Sequence, residues 1–194
     1  MTGLVLCGGE SSRMGTDKGL IEHETGSWAQ VTFDKLKALQ IPVFLSVNKK
    51  QYENYATKFP ADKLIVDNEE LQINGPLLGL LSAHLLFSNE DIFIPACDMP
   101  LMATSVLQQL QQVCLSDNQA QAFAFSNAGE AEPLCGIYKS AAIAAIHSLY
   151  KSRQLPKHSM KFMLEHVNTH SIALAEEQKQ FFRNFNSHAE LNGL

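Results

Sequence analysis

The sequence predicts an α/β fold in three layers, with a mostly parallel central sheet covered by helices on both faces. Short apolar runs alternate with amphipathic helical patterns along the whole chain. The runs lack the strict polar–apolar alternation of half-exposed strands, so both of their faces should be buried. The chain has 194 residues, which is enough for one domain with a sizeable core.

Six apolar segments are predicted as strands, at residues 3–7, 42–47, 64–66, 92–96, 122–126 and 134–138. Helical spacing of apolar residues predicts helices at residues 27–40, 104–114 and 140–150. The turn Asn74-Gly75 precedes Pro76, a residue favoured at the first position of a helix, so another helix should begin there. In parallel sheets ligands bind beyond the carboxyl ends of the strands. We therefore expect a site in the loops that follow the first four strands.

Composition excludes several classes of protein. The net charge is −5, with 45% hydrophobic and 18% charged residues, and this mild acid excess provides no overall field that would attract nucleic acid. The apolar segment at the N-terminus is too short for a signal peptide and lacks a basic leader, and no segment reaches membrane-spanning length. The four cysteines form no CxxC pair, which favours reduced thiols. We expect a cytoplasmic protein with no membrane partner.

A glycine-rich loop follows the first predicted strand. Gly8 and Gly9 allow the backbone to turn sharply, and successive N–H groups in such a turn can bind an anion. Arg13 and Lys18 add positive charge. The loop matches neither the Walker A motif nor GxGxxG. A Gly-Gly turn alone would favour a plain turn with a solvated Arg and Lys, but the whole combination predicts a phosphate-binding loop.

Asp98 directly follows the fourth predicted strand, between Cys97 and Met99-Pro100. A carboxylate at this position can hold a hard divalent cation that bridges phosphate oxygens. The alternative is that Asp98 caps a helix beginning near Leu101. Cys97 has no histidine nearby in the sequence, so we interpret it as a buried thiol and not as a nucleophile.

The segment Leu6-Cys7-Gly8-Gly9-x-x-x-Arg13-Met14-Gly15-x-Asp17-Lys18 resembles the signature loop of the MobA-like NTP transferases. These enzymes make the dinucleotide form of the molybdenum cofactor from molybdopterin and GTP. The resemblance implies that the loop wraps the triphosphate, and that catalytic contacts to phosphate come from Arg13 and Lys18. Nucleotide contacts in this segment are implied for Leu6, Cys7, Gly8, Gly9 and Lys18.

Further segments resemble the same family. Cys97-Asp98-x-Pro100 is similar to the family's Cys-Asp-Thr-Pro, which implies that Asp98 binds Mg²⁺ and acts in catalysis and nucleotide binding. Residues 75–79 resemble a Gly-Pro-Leu-Ala-Gly segment along the nucleotide site, which implies a nucleotide contact for Gly75. Asn48 and Asp67 are common turn residues, and the family places an Asn and an Asp there, near the base and ribose.

The C-terminal part of the chain carries the implied contacts to the second substrate. Residues 182–187 resemble the family's Asn-Val-Asn-Thr segment, which implies that Asn184 and Asn186 contact that substrate. Glu132-Pro133 stands where family members often have His-Pro. Glu132 is therefore either a group facing the substrate or an edge charge, and the identity of the second substrate stays open.

The resemblance extends from Leu6 to Leu191 and implies a Rossmann-like nucleotide-diphospho-sugar transferase fold. It also implies a single nucleotidyltransferase domain over residues 1–194, with Mg²⁺ as cofactor and GTP and molybdopterin as substrates. Transient contacts with other proteins of molybdenum cofactor synthesis are implied as well. The alternatives are a cytidylyltransferase, a sugar-phosphate nucleotidyltransferase, or an inactive nucleotide-binding regulator. Lys18 and Asp98 argue against the inactive protein.

Overall fold

The structure is a computed structural model of the chain and describes residues 1–8, 17–23, 25–183 and 185. The strands are β1 (Thr2–Leu6), β2 (Glu22–His23), β3 (Gly26–Ser27), β4 (Val43–Val47), β5 (Leu64–Val66), β6 (Ile92–Pro95), β7 (Ala122–Asn127), β8 (Glu130–Tyr138) and β9 (Thr169–Ala173). The α-helices are α1 (Trp28–Lys37), α2 (Tyr52–Ala56), α3 (Pro76–Leu86), α4 (Thr104–Ser116), α5 (Ser140–Lys151) and α6 (Met160–His166). Short 3₁₀ helices cover Lys18–Leu20, Ala61–Lys63, Glu69–Leu71 and Glu176–Phe182.

Seven strands form one sheet in the order β5-β4-β1-β6-β8-β7-β9. Strand β1 is parallel to β4 and β6, β4 is parallel to β5, and β7 is parallel to β9. Strand β8 is antiparallel to both of its neighbours, β6 and β7. The prediction of a mostly parallel sheet is confirmed, with one reversed strand that periodicity did not indicate.

The reversed strand arises from a tight hairpin between β7 and β8. The turn residues Ala128 and Gly129 have φ angles of 50° and 86°. A two-residue turn with positive φ at both positions matches the twist of the flanking strands, which is why it joins antiparallel neighbours. Strand β8 consequently begins at residue 130, four residues before the predicted start.

Helices cover both faces of the sheet, which confirms the three-layer prediction. On one face, Leu36 of α1 and Leu107 of α4 are completely buried in a cluster that includes Phe93 of the central strand β6. On the other face, a second cluster contains the buried residues Leu80 of α3 and Ile143 of α5. None of the helices in the described ranges is both long and apolar enough to cross a membrane.

Candidate active site

The loops after four neighbouring strands converge at one edge of the sheet. Strands β5, β4, β1 and β6 are consecutive in the sheet and mutually parallel, so their carboxyl ends meet at the same edge. Gly8, Asn48, Asp67 and Asp98 follow these ends. The backbone N–H of Gly8 donates to the carbonyl oxygen of Ser46 on β4, 3.0 Å away. The structure thus brings together the loops that the sequence indicated.

Asp67 lies directly against the first residue of the glycine-rich loop. A Cβ atom on Gly8 would lie 2.6 Å from Oδ2 of Asp67, so any other residue at this position would have to displace that carboxylate. The other carboxyl oxygen, Oδ1, accepts a hydrogen bond of 2.6 Å from the Ser46 hydroxyl group. Asp67 is 8% exposed, and burial raises the pKa of its carboxyl group to about 6 although the Ser46 bond opposes the shift.

Lys18 and Asp98, which are 80 residues apart in sequence, form an ion pair at this edge. The Nζ atom of Lys18 lies 3.2 Å from Oδ2 of Asp98, and the two side chains are 19% and 23% exposed. Lys18 is held in place by the 3₁₀ helix that begins with it. Asp17 caps that helix by accepting a hydrogen bond from the Gly19 N–H at 3.0 Å. A cation and a carboxylate are therefore adjacent where phosphate binding was predicted.

Asp98 does not cap a helix, so that alternative reading of the sequence is wrong. The residues after Asp98 form turns, and α4 begins only at Thr104, with Ala103 at the N-cap position. The backbone carbonyl of Asp98 accepts a hydrogen bond of 3.3 Å from the N–H of Phe185, which brings the C-terminal segment to the site. The carboxylate itself is paired with Lys18 and not with the start of a helix.

Cys97 has the properties of a structural thiol, as the sequence suggested. Its side chain is buried, and a hydrogen bond with the Cys7 thiol together with burial raises the pKa of Cys97 well above its ordinary value. A nucleophilic cysteine needs a depressed pKa, because the thiolate is the reactive form. Both properties are those of a buried structural thiol.

Gln51 was not identified from the sequence, yet it connects the two flanks of the glycine-rich loop. Its amide nitrogen Nε2 donates to the Cys7 carbonyl oxygen at 3.0 Å and to Oδ2 of Asp17 at 2.6 Å. The hydroxyl group of Tyr55 donates to the other oxygen of Asp17 at 3.0 Å. Gln51 and Tyr55 thus fix Asp17, which caps the helix carrying Lys18.

Asn48 holds Gln51 in position through a reciprocal pair of hydrogen bonds. The side chain of Asn48 accepts from the Gln51 N–H, and the side chain of Gln51 accepts from the Asn48 N–H, each at 3.0 Å. This is the geometry of a capping box at the start of a helical turn. The Asn-x-x-Gln spacing was visible in the sequence and could have revealed the arrangement.

Of the remaining predicted site residues, some are described by the structure and the others lie outside the described ranges. Leu6 and Cys7 are buried at the end of β1, and Gly75 precedes α3 with a φ of 77°, a conformation that favours glycine. Nothing lies within 4 Å of a Cβ built on Gly75, so the backbone angle is the reason for glycine there. The predicted residues that lie outside the described residues are Gly9, Arg13, Asn184 and Asn186.

The chemistry of Asp98 suits a magnesium ion that binds together with a nucleotide. Within the ranges that the structure describes, no three His, Cys, Asp or Glu side chains are grouped closely enough to hold a metal ion alone. Magnesium in nucleotide sites is often held by one or two carboxylates, with phosphate oxygens and water completing the coordination. A single partly exposed carboxylate beside the loop that follows β1 fits that pattern.

Comparisons with known proteins give a family for most of the chain. A family profile described as the MobA-like NTP transferase domain matches residues 3–170. A Flavobacterium johnsoniae protein named probable molybdenum cofactor guanylyltransferase is 30% identical over 195 residues, which cover 100% of this chain and 96% of that protein.

Two solved structures share the fold. Molybdopterin-guanine dinucleotide biosynthesis protein A from Archaeoglobus fulgidus has a TM-score of 0.77 at 20% identity, over 100% of this chain and 96% of that one. A putative glucose-1-phosphate thymidylyltransferase from Bacillus anthracis has a TM-score of 0.73 at 12% identity, over 100% and 93%. The family profile and the full-length relative go further than the fold: this chain belongs to the MobA-like NTP transferase family.

Proposed function

We propose that this protein transfers GMP from GTP to molybdopterin and releases pyrophosphate, forming the guanine dinucleotide form of the molybdenum cofactor. Membership of the family and the name of the full-length Flavobacterium johnsoniae relative support a nucleotidyltransferase with this substrate pair. The observation that carries the proposal is the pairing of Lys18 with Asp98 at the carboxyl edge of β1 and β6. The Lys18 ammonium group suits a polyphosphate, and the Asp98 carboxylate suits a divalent cation bound to that polyphosphate.

Lys18 is the group that we assign to the triphosphate. Its ammonium group is a compact charge on a flexible chain, so it can leave the carboxylate of Asp98 for phosphate oxygens when nucleotide binds. Asp98 would then hold Mg²⁺, whose charge offsets that of the phosphates during transfer. Gly8 keeps the start of the loop clear of side-chain atoms, since any Cβ would collide with Asp67.

The reaction in this proposal is an in-line displacement. A phosphate oxygen of molybdopterin attacks the α-phosphorus of GTP and forms a new P–O bond. The bond between the α-phosphorus and the bridging oxygen breaks, and pyrophosphate leaves with that oxygen. Such transfers depend mainly on positioning and electrostatic stabilisation. The attacking phosphate is already ionised at neutral pH, so the protein needs no general base.

The proposal is tested by incubating the protein with Mg²⁺, molybdopterin and each of ATP, GTP, CTP and UTP. We expect pyrophosphate release with GTP, and a product with the combined mass of GMP and molybdopterin. A product with CTP alone would identify a cytidylyltransferase. Turnover with a sugar phosphate in place of molybdopterin would identify a sugar-phosphate nucleotidyltransferase. Binding of GTP without release of pyrophosphate would indicate a regulator.

Replacing Asp98 by Asn tests the role of the carboxylate. We expect kcat to fall by about 100-fold or more, because charge stabilisation by a metal ion contributes several kcal/mol to catalysis. Asp62→Asn is the matched control, since its side chain is 72% exposed in the 3₁₀ helix Ala61–Lys63. Circular dichroism would verify that both variants fold. Turnover by Asp98→Asn at the rate of Asp62→Asn would contradict the assignment.

A further inference from the structure

A carboxyl group outside the nucleotide loops has no partner in the described part of the chain. The Glu132 side chain is half-buried, and it makes no hydrogen bond or ion pair with any residue that the structure describes. Burial raises the pKa of Glu132, and no cation of the described ranges opposes the shift. A half-buried charge without a partner lowers stability, and such local violations are typical of functional positions.

Glu132 lies at the same edge of the sheet as Asp98. Strand β8 runs antiparallel to β6, with Pro95 opposite Cys135, and the Ala96 N–H donates to the Leu134 carbonyl oxygen at 2.8 Å. Since Glu132 precedes these residues on β8, it lies beyond the point where β6 ends. Asp98 follows that same end of β6, so the two carboxylates flank one stretch of the sheet edge.

The residues around Glu132 contact the C-terminal segment, which also reaches Asp98. Glu132 is opposite Phe125 on β7, and the ring of Phe125 contacts that of Phe182 with centroids 5.3 Å apart. Three residues later, the N–H of Phe185 donates to the backbone carbonyl of Asp98. The segment that ends the described chain therefore connects the surroundings of Glu132 with those of Asp98.

The order of strands separates Glu132 from the residues assigned to the nucleotide. Gly8, Asn48 and Asp67 follow β1, β4 and β5, on one side of β6. Strand β8 lies on the other side of β6. In the proposed function, Asp98 lies at the phosphates and the rest of the nucleotide lies at the ends of β1, β4 and β5. The part of the sheet edge next to β8 is then left for the acceptor substrate.

The pairing of β8 with β7 is irregular next to Glu132. Between Ala124 and Phe125 the partner on β8 changes from Gly136 to Glu132, so residues 133–135 are extra in that strand. The carbonyl oxygen of Pro133 within this bulge accepts a hydrogen bond of 2.7 Å from the buried Tyr138 hydroxyl. Bulges of this kind are common beside active sites, where they re-aim a side chain.

We propose that the Glu132 carboxylate recognises the acceptor substrate by accepting hydrogen bonds from adjacent N–H groups of its heterocycle. This inference rests on the proposed function and specifies the side of the site where the acceptor binds. In molybdopterin the donors are the 2-amino group and the neighbouring ring N–H of the pterin. A carboxylate can accept both bonds side by side, and charge-assisted bonds of this type are the stronger ones.

The test compares Glu132→Gln with Glu130→Gln. Glu130 is on the same strand and has the same charge, but it lies at the exposed hairpin end with Lys161 as its partner. We expect Glu132→Gln to raise the KM for molybdopterin about tenfold or more, since a lost charge-assisted bond has an effect of this order. The Kd for GTP, measured by calorimetry without acceptor, should stay unchanged in both variants.

A second readout separates this inference from the proposed function. Pterin itself is fluorescent, so its binding to the protein with GTP and Mg²⁺ can be titrated without turnover. If the wild-type protein fails to use molybdopterin but binds pterin, and Glu132→Gln weakens that binding about tenfold, the proposed function fails and the inference stands. Absence of pterin binding to the wild-type protein would overturn the inference.

Thermal unfolding distinguishes recognition from a structural role. Glu132→Gln removes a half-buried charge that no described residue pairs with, so its melting temperature should be equal to or above that of the wild-type protein. A clear drop in melting temperature, an equal loss of affinity for GTP, or an acceptor KM identical to that of Glu130→Gln would each overturn the proposal.

Discussion

Replacing Asp67 by Asn tests whether a buried carboxyl group at the site lowers stability at neutral pH. Burial raises the pKa of Asp67 from its ordinary value of 3.8 to about 6. A carboxyl group with a raised folded-state pKa favours folding while it is protonated. The protein should therefore lose stability as pH rises from about 4 through about 6. A rise of the pKa from 3.8 to about 6 lowers the free energy of unfolding at neutral pH by about 3 kcal/mol.

Asparagine stays neutral throughout this range and can still accept the hydrogen bond that Ser46 donates. In urea unfolding without nucleotide, we expect Asp67→Asn to exceed the wild-type free energy of unfolding by up to about 3 kcal/mol at pH 8. The difference should shrink to below about 1 kcal/mol at pH 4. The exposed residue Asp62 provides the control variant Asp62→Asn. A difference between Asp67→Asn and wild type that does not vary between pH 4 and 8 would refute the reasoning.

Two further predictions concern the ends of the glycine-rich loop. Gly8→Ala places a Cβ atom 2.6 Å from Oδ2 of Asp67, so it should lower the free energy of unfolding by about 1–3 kcal/mol. Urea unfolding should show a clearly smaller loss when the same change is made in an Asp67→Ala background, and an equal loss there would exclude the collision as the cause. Gln51→Ala removes hydrogen bonds to the Cys7 carbonyl and to Asp17, so it should cost about 1–3 kcal/mol and raise the KM for GTP. Gln51→Glu keeps the size but puts a second carboxylate against Asp17, so unfolding and kinetic assays should show a larger loss, and wild-type behaviour of both variants would disprove the connecting role.

The core strands were predictable because burial on both faces leaves a local signal. Strands β1, β4 and β6 are mainly apolar, with Thr2 and Ser46 as the polar residues among them, and the structure has these strands within one residue of the predicted bounds. The start of α3 was equally local, because Pro76 occupies the first helical turn after Gly75.

The far side of the sheet was less predictable. Strand β9 contains Thr169, His170 and Ser171, and its residues are only partly buried or exposed, so it has no apolar run. It is a strand because it pairs with β7 at the sheet's edge. Pairing of this kind joins segments that are far apart in sequence, and no local pattern reports it.

The candidate site was likewise predictable only in the parts that depend on local sequence. The motifs indicated Lys18 and Asp98 separately, but the 3.2 Å contact between them depends on the parallel pairing of β1 and β6. The contribution of Gln51 was missed because its two acceptors, on Cys7 and Asp17, are reached only after folding.

By itself the sequence determined which segments are apolar on both faces, where glycine and proline turn the chain, and which charged residues follow the strands. These features depend on neighbouring residues, so they can be read along the chain. Only the tertiary structure decided that β8 runs antiparallel, that the Asp67 carboxyl group is buried enough to raise its pKa, and that Glu132 has no partner among the residues that the structure describes. Burial and charge pairing depend on which distant segments pack together, because water and counter-charges are excluded only once the sheet and helices have assembled.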